Sequence, residues 1–360
     1  MQVINVKPIC ELVDGRLVCY KNGQLLFYLG SPLKLENRVN LRLGIKESIL
    51  GRLKLLYRFF RLGIRSALQI DDSTLLFFVN ERFYEYDISS GKLLGWWMPE
   101  HGIRALYMTK ISGISGFSDM IVFGGYLSNF KKRPVSIYKR VGTNKWDPIY
   151  TFSVGSINHI HNIIPDKYNK CVWIFTGDFG TAANIWIATN NFESVLPVSN
   201  GSQTFRGCIG FPTINGLIYA TDSPFERNSV RLLHYENGAW KSECIADING
   251  SCIYGTKVGG DIIISSTVEP DNRGKSFITS ILNNKPGGGI KDRCVYIYKI
   301  DESLNCDEIL SVEKDFLPPV LFQFGAIMFP SGSIIEKKVI AYCIATKMYD
   351  CKTIVIDILE

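Results

Sequence analysis

Short runs of apolar residues alternate with polar residues along most of this 360-residue chain, and glycine or asparagine turns separate the runs. Runs of this length that are rich in β-branched and aromatic residues are typical of β-strands. The segment 16–30 shows the pattern well, because Asn22-Gly23 stands between two apolar runs and predicts a tight hairpin. The chain is therefore predicted to be all-β.

From residue 67 onward one unit of four short strands recurs. Its second half is a hairpin that contains tyrosine or tryptophan, and five copies lie at 83–97, 135–152, 185–198, 230–245 and 295–312. A repeat of about 45–65 residues is the spacing of propeller blades. We therefore predict one β-propeller domain over residues 1–360, with six blades as the first choice.

The end of the chain supplies most of the sixth unit, with apolar runs near 322–329, 337–345 and 352–359. A strand from the N-terminal region would complete it, since closing the ring in this way removes exposed sheet edges. Seven blades are the alternative, if the hairpin around Asn22-Gly23 belongs to a further blade.

Residues 38–66 interrupt the strand pattern and are predicted to be a helical insertion. Between residues 48 and 65, Lys54, Arg58, Arg61 and Arg65 recur at helical spacing, and apolar residues fall roughly opposite. This pattern predicts one basic amphipathic helix over 48–65. Such a helix either braces the sheets or lies on a membrane surface.

A second interruption, the long loop 270–293, contains three consecutive glycines at 287–289. A plain mobile insertion is favoured over a lid that covers one face of the ring. Because no helix pattern follows the glycines, the run does not predict a phosphate-binding loop.

Charge and cysteine content indicate the kind of surface and the cellular compartment in which the protein works. The net charge is +6, and much of the excess lies in residues 38–65, which suggests a membrane surface, a polyanion or a solvated face as its environment. The ten cysteines form no C-x-x-C pair and most lie in strand-like runs, as expected of buried free thiols in a reducing compartment. We therefore expect a cytoplasmic protein, peripheral to the inner membrane face if the helix docks there.

Nucleic-acid binding is not expected, because no arginine-rich stripe interleaves with aromatic residues.

Two predicted turns, 188–192 and 141–146, resemble degenerate Asp-box (BNR) turns of sialidase-type propellers, and the second keeps Trp146. The stretches INHIHNIIPD, WIFTGDFG, GSQTFRG and YATDSP are similar to those of uncharacterised bacterial propeller proteins labelled glycosyl-hydrolase-like. The resemblance covers most of residues 67–360 and implies a sialidase-like propeller with a glycan as ligand. The three arginines, the tyrosine–glutamate pair and the acid/base aspartate of true sialidases have no recognisable counterparts here, so the resemblance implies the fold more than the activity.

In a propeller, the starts of the innermost strands and the loops between second and third strands meet at one channel mouth. Polar residues recur at these positions. The catalytic candidates are His159, His161, Asp178 and Asp222, and the substrate-binding candidates are Arg104, Tyr126, Arg206, Arg227 and Glu269. They come from different repeats, which is the pattern expected of a shared site.

Each candidate has a functional and a structural interpretation. His159 and His161 either chelate a divalent metal or are hydrogen-bonded residues of a wet channel, and no other cofactor is predicted. Asp178, between glycines, is either an acid/base carboxylate or a turn residue. Arg206 suits a sugar carboxylate or sulfate. A shared site requires His159, Asp178 and Arg206 to lie within about 15 Å of one another.

Three function classes follow, and whether the protein is an enzyme is left open. The first is a carbohydrate-active, glycosidase-like protein that binds or cleaves an acidic glycan, either as a hydrolase using Asp178 and Asp222 or as a polysaccharide lyase with a histidine base. The second is a non-catalytic propeller that binds a glycan or a protein. The third is a membrane-associated accessory protein in glycan assembly.

Overall fold

The computed structural model describes residues 1–100, 102–199, 201–273, 275–332 and 338–358. The strands of the first half are β1 (Gln2–Ile4), β2 (Lys7–Glu11), β3 (Leu17–Lys21), β4 (Gln24–Leu29), β5 (Lys34–Asn40), β6 (Ser66–Gln69), β7 (Thr74–Val79), β8 (Arg82–Asp87), β9 (Lys92–Trp97), β10 (Met108–Ile111), β11 (Met120–Gly124), β12 (Val135–Gly142) and β13 (Lys145–Phe152). Those of the second half are β14 (His159–Asp166), β15 (Cys171–Gly177), β16 (Asn184–Thr189), β17 (Ser194–Pro197), β18 (Gly207–Thr213), β19 (Gly216–Thr221), β20 (Asn228–Glu236), β21 (Ala239–Ile248), β22 (Cys252–Val258), β23 (Asp261–Val268), β24 (Cys294–Ile300), β25 (Cys306–Glu313), β26 (Gly325–Met328), β27 (Lys338–Ile344) and β28 (Lys352–Asp357).

Helices are few and short. They are α1 (Ile45–Ser48), α2 (Lys54–Phe59), α3 (Phe277–Leu282) and α4 (Pro319–Phe322), with 3-10 turns at Leu50–Arg52, Gly180–Ala182, Asn190–Phe192 and Gln203–Phe205. Within the described residues, no helix has the length and apolar character needed to cross a bilayer. The predicted all-β class is thus confirmed as a mostly β chain with a few short helices.

The chain divides into two compact units. The first comprises residues 1–72, 224–228 and 248–360, and the second comprises 73–223 and 229–247. In the second unit the strands follow one another as antiparallel meanders, in the orders β7-β8-β9, β10-β11-β12-β13, β14-β15-β16-β17 and β18-β19-β20-β21. Each strand thus pairs with its neighbour in sequence. This is the simplest antiparallel arrangement, because a short turn is enough to join two antiparallel strands.

The first unit holds the sheet β2-β3-β4-β5 and a longer path in the order β1-β28-β27-β26-β23-β24-β25, with β22 paired to β23. The path consists of two four-stranded groups, which join where Thr267 and Val268 of β23 pair with β26. Strand β1 pairs with β28 along its whole length. The predicted closure of the last sheet by an N-terminal strand is therefore confirmed; of the predicted runs, positions 337 and 359 lie outside the described residues.

The predicted hairpins are also confirmed. All five recurring copies are present, as β8–β9, β12–β13, β16–β17, β20–β21 and β24–β25. Asn22 and Gly23 join β3 to β4 with positive φ angles of 51° and 79°, the conformation that favours Asn-Gly in two-residue hairpin turns. This hairpin lies within its own four-stranded sheet, which is the condition set for the seven-blade alternative.

The core of the second unit shows why its strands are apolar on both faces. Val172 and Ile174 of β15 pack with the residues of β10–β13, including Ile137. Trp173 and Phe175, on the opposite face of the same strand, pack with residues of β19 and β20. A strand between two neighbouring sheets buries both faces, so its sequence reads as a continuous apolar run.

The prediction of one continuous helix over 48–65 is wrong. Helix α1, a 3-10 turn and helix α2 replace it, and the backbone of Leu53 between the last two is extended (φ −96°, ψ 109°). Glu47 is buried, hydrogen-bonded to the Tyr20 hydroxyl and to the backbone N–H of Gly63, where the chain turns with φ +94°. These contacts hold both ends of the segment against the sheet, and a straight helix could not satisfy them.

The prediction that the basic residues face solvent and the apolar residues face the protein is also wrong at the centre of the segment. Arg58 is fully buried in the first unit, where its Nη1 lies 2.5 Å from Asp315 Oδ2 and 3.0 Å from Asp350 Oδ2. Its Nη2 donates to the carbonyl oxygen of Phe322 over 2.6 Å. The apolar residues Leu53 and Leu55 are exposed instead. A buried guanidinium needs such partners for its donors, and this ion-pair cluster sets the orientation of α2.

The predicted long loop at 270–293 is partly helical and is tied down at its glycines. Helix α3 starts after Ser276, whose hydroxyl accepts a hydrogen bond from the backbone N–H of Thr279. The backbone N–H of Gly287 donates to Glu269, and that of Gly289 donates to Pro224. A β carbon on Gly287 would lie 2.0 Å from the Pro224 oxygen, so this position of the glycine run requires a residue without a side chain.

The cysteines are free thiols, as predicted. All ten lack a disulfide partner, and six of them are buried in strands or at their ends. Burial raises the pKa of thiols such as Cys343 to about 12, so these groups stay protonated and act as small apolar residues.

Candidate functional site

Five polar side chains meet inside the second unit, at the starts and ends of four strands. His159 Nε2 lies 3.0 Å from His161 Nε2, and Asp178 Oδ1 lies 3.2 Å and 3.5 Å from these two nitrogens. Arg206 Nη2 lies 3.3 Å from the same Asp178 oxygen and 3.5 Å from Asp222 Oδ2. The predicted requirement that His159, Asp178 and Arg206 share one site is therefore met.

Strand geometry explains why sequence-distant residues converge here. His159 and His161 start β14 and are separated by one residue, so their side chains lie on the same face, while Ile160 between them packs into the apolar core. Asp178 directly follows β15, which pairs with β14 through His159 and Gly177. Arg206 directly precedes β18, and Asp222 directly follows β19.

Each histidine ring is held at its other nitrogen. His159 Nδ1 lies 3.0 Å from the carbonyl oxygen of Leu127, and His161 Nδ1 lies 2.9 Å from that of Gly207. A carbonyl oxygen only accepts, so each Nδ1 carries the hydrogen and donates it. The Tyr126 ring packs against the His159 ring, with centroids 4.4 Å apart. Both rings are thus fixed with their Nε2 atoms directed at each other and at Asp178.

Arg206 is engaged on several sides. Besides the two carboxylates, its guanidinium lies over the Phe179 ring, 5.2 Å from the centroid. The backbone oxygen of Asp178 accepts a hydrogen bond from Gln203 Nε2 over 2.8 Å. Asp178 itself is one-third exposed, whereas Asp222 is buried. The prediction that Arg206 binds a sugar carboxylate stays a prediction, and its guanidinium is already matched to two carboxylates.

The pKa values of the two aspartates shift in opposite directions. Burial acts to raise the pKa of Asp178, but the neighbouring His159 and His161 outweigh it and hold this pKa well below its usual range. Burial raises the pKa of Asp222, although Arg206 and His161 act against it. Environments that separate two carboxyl pKa values are common at functional sites. Here one guanidinium nitrogen of Arg206 lies within 3.5 Å of both carboxylates.

Two sets of residues could hold a metal ion among the described residues: His159, His161 and Asp178, or His161, Cys208 and Asp222. In each set the ligand atoms lie within 4.8 Å of one another. The second set is fully buried, whereas the first opens to solvent at Asp178. Neither set resembles a sialidase centre.

The remaining predicted residues are not all brought to this site. Arg104 pairs with Tyr126 through the backbone, as an isolated bridge beside the cluster. Arg227 and Glu269 belong to the first unit, where Arg227 is exposed. Cys208 and Gln203 went unpredicted at the site. The alternation rule applied to Arg206 would have placed Cys208 on the same side, because one residue, Gly207, separates them.

Comparison with known proteins comes from structure alone. No protein-family model matches the sequence, and no curated protein matches it. The β-propeller domain of Cps50 (Swd1) from Myceliophteria thermophila superposes with a TM-score of 0.55 at 7% identity, over 100% of this chain and 99% of that one. The AfRom2 CNH domain superposes with a TM-score of 0.53 at 7% identity, over 99% and 96%. This chain has a β-propeller fold. The neighbours support the propeller but not the sialidase-type Asp-box family that the turns resemble.

Proposed function

We propose that the protein is a non-catalytic binding propeller that attaches to an anionic membrane surface through the segment 45–61. The main observation behind this proposal is that the segment buries Arg58 and exposes large apolar side chains. Cleavage of a glycan is not proposed, because Arg206 bridges the two carboxylates that a hydrolase would use.

The exposed apolar side chains are concentrated in a short stretch. Six of them, each at least 44% exposed, are Ile45, Ile49, Leu53, Leu55, Phe59 and Phe60. Soluble proteins rarely expose contiguous apolar patches of this kind, and such patches often mark interaction surfaces. Amphipathic surface elements that carry leucine and phenylalanine insert these side chains at the boundary between lipid headgroups and acyl chains.

The apolar surface continues beyond the segment within the first unit. Helix α2 contacts α4, with the rings of Phe59 and Phe322 5.9 Å apart, and α4 contacts α3. Helix α3 exposes Ile278 and Leu282, one turn apart on the same side. Helix α3 thus adds two exposed apolar side chains near the segment, to which it is linked by the less exposed α4.

The charge of the segment favours an anionic lipid surface over a neutral apolar partner. Its exposed charged residues are Lys46, Arg52, Lys54 and Arg61, the exposed Arg42 and Arg65 flank it, and all six are basic. The single acidic residue between 41 and 65, Glu47, is buried. Each lysine or arginine near an anionic membrane contributes about 1 kcal/mol of attraction.

The test is co-sedimentation with vesicles of phosphatidylcholine, with and without phosphatidylserine. We expect binding that requires phosphatidylserine, and the double variant Leu53→Asn/Leu55→Asn should abolish it. Reversing two charges, Lys46→Glu/Arg52→Glu, should weaken binding at least about tenfold. The matched control is Phe130→Asn, because Phe130 is 93% exposed in the other unit. Absence of binding by folded wild type, or an equal loss in the control, would refute membrane attachment.

We further propose that the propeller has seven blades. The strands fall into seven successive groups, whose last members are β5, β9, β13, β17, β21, β25 and, for the final group, β1. The observation in favour is the separate sheet β2-β3-β4-β5, which a six-blade arrangement would leave without a place.

A further inference from the structure

We propose that His159, His161 and Asp178 bind one divalent transition-metal ion, with zinc as the best-suited common metal. This inference is independent of membrane attachment, since it concerns side chains of the second unit only. It rests on hydrogen bonding, on distances and on access.

Hydrogen bonding leaves a lone pair at both Nε2 atoms. Each Nδ1 donates its hydrogen to a backbone carbonyl. A neutral ring carries only one N–H hydrogen, so its Nε2 has a free lone pair instead. Two such lone pairs lie 3.0 Å apart and face a carboxylate oxygen. Three electron-rich atoms in contact require positive charge among them, which is either a metal ion or a proton on a histidine that is donated to the other ring or to Asp178.

The distances match a metal ion. Zinc bonds to histidine nitrogen and carboxylate oxygen are about 2.0–2.2 Å, so tetrahedral ligands lie about 3.3 Å apart. The three separations here are 3.0, 3.2 and 3.5 Å. An ion about 2 Å from all three atoms would sit just outside their plane, and the fourth position would stay open for water or another ligand.

The surroundings also have the features of a metal site. Ligating histidines usually donate their other N–H to a carbonyl or carboxylate, as both rings do here. Arg206 contacts the Asp178 oxygen from the side and so orients the third ligand. Asp178 is one-third exposed, which provides an entry route. Two histidines and one carboxylate suit zinc and related divalent ions better than magnesium or calcium, which prefer oxygen ligands.

The alternative set, His161 with Cys208 and Asp222, makes a different prediction. It would place a thiolate on the ion, inside a cluster with no exposed member. Cobalt(II) distinguishes the two sets, because a thiolate ligand adds an intense charge-transfer band and the proposed set contains no thiolate.

The experiment titrates the full chain, after chelator treatment, with Zn²⁺ by calorimetry and with Co²⁺ by absorption. We expect one tight site, four-coordinate Co²⁺ bands without a thiolate band, and a metal-dependent rise in Tm. His159→Gln and Asp178→Asn should each weaken metal binding by more than about a hundredfold. Removing a residue that only hydrogen-bonds to a metal ligand costs about 10- to 100-fold in affinity, and removing a ligand itself should cost more. Asp178→Asn tests the site with little risk to folding, because this side chain is partly exposed.

Two control variants complete the design. His234→Gln removes a histidine that lies near Glu236 and Glu243 elsewhere in the unit, and it should bind metal like wild type. Cys208→Ser should also retain binding. A thiolate band together with loss in Cys208→Ser would overturn the assignment in favour of the second set. Absence of a tight site in folded wild type would overturn it in favour of a proton on one of the histidines.

Discussion

Gly177 limits how the histidine pair can be arranged. A β carbon at this position would lie 2.4 Å from both Cε1 and Nε2 of His161, closer than any real contact. We expect Gly177→Ala to displace the His161 ring and to weaken zinc binding at least about tenfold, as other changes around metal ligands do. Calorimetric titration of the folded variant provides the measurement.

The matched control for this prediction is Gly142→Ala in the same unit. A β carbon on Gly142 would meet nothing within 4 Å, and its φ is not positive. This variant should bind zinc like wild type. If both variants behaved alike, the close packing of His161 on Gly177 would not matter for the site.

At this scale the sequence was informative wherever a local rule applied. Strand alternation correctly joined His159 to His161, and the loop positions of Asp178, Arg206 and Asp222 correctly placed them beside the pair. The burial of Arg58 could not be predicted, because its partners Asp315 and Asp350 lie 257 and 292 positions away. Whether a charge is buried depends on such distant partners, which periodicity does not encode.

Helix α2 is held to the first unit by that arginine. Removing one member of a buried ion pair leaves uncompensated charge, so we expect Arg58→Ala to lower the free energy of unfolding by about 3–5 kcal/mol. Urea unfolding measures the change. The exposed Arg52 is the control, and Arg52→Ala should stay within about 0.5 kcal/mol of wild type. Similar values for both variants would contradict the anchoring role.

The elements differ in how well pattern predicted them. Hairpins were predicted well because a two-residue turn and two apolar runs are local features, as at β12–β13 and β24–β25. The segment 48–65 was predicted poorly. Helical spacing alone does not reveal an extended residue such as Leu53, nor which side of the segment packs on the sheets.

The stability of the whole molecule should depend on pH through Lys7. Burial and the nearby charge of Arg65 lower the pKa of Lys7 to about 8 from 10.5, and its Nζ donates to the Ile64 oxygen over 2.7 Å. Between these pH values the unfolded chain binds more protons than the folded one, so this contribution to stability rises with pH. Below pH 8 the cost of burying the charged amine is fully present.

We therefore expect the stability of Lys7→Met relative to wild type to be greatest near neutral pH and to fall as the pH rises through 8 towards 10.5. Urea unfolding of both proteins across this range gives the difference directly, and effects of other titrating groups cancel in it. A difference that stays constant with pH would show that Lys7 titrates alike in both states.

The pairing of β1 with β28 has a consequence for synthesis on the ribosome. Thr353 in β28 donates its hydroxyl hydrogen to the carbonyl oxygen of Val6, across 347 positions of sequence. Strand β1 is made before β2 to β27, and its partner β28 is made after all of these. Until β28 has been made, the nascent chain carries β1 as an unpaired strand that a chaperone or a neighbouring nascent chain can bind.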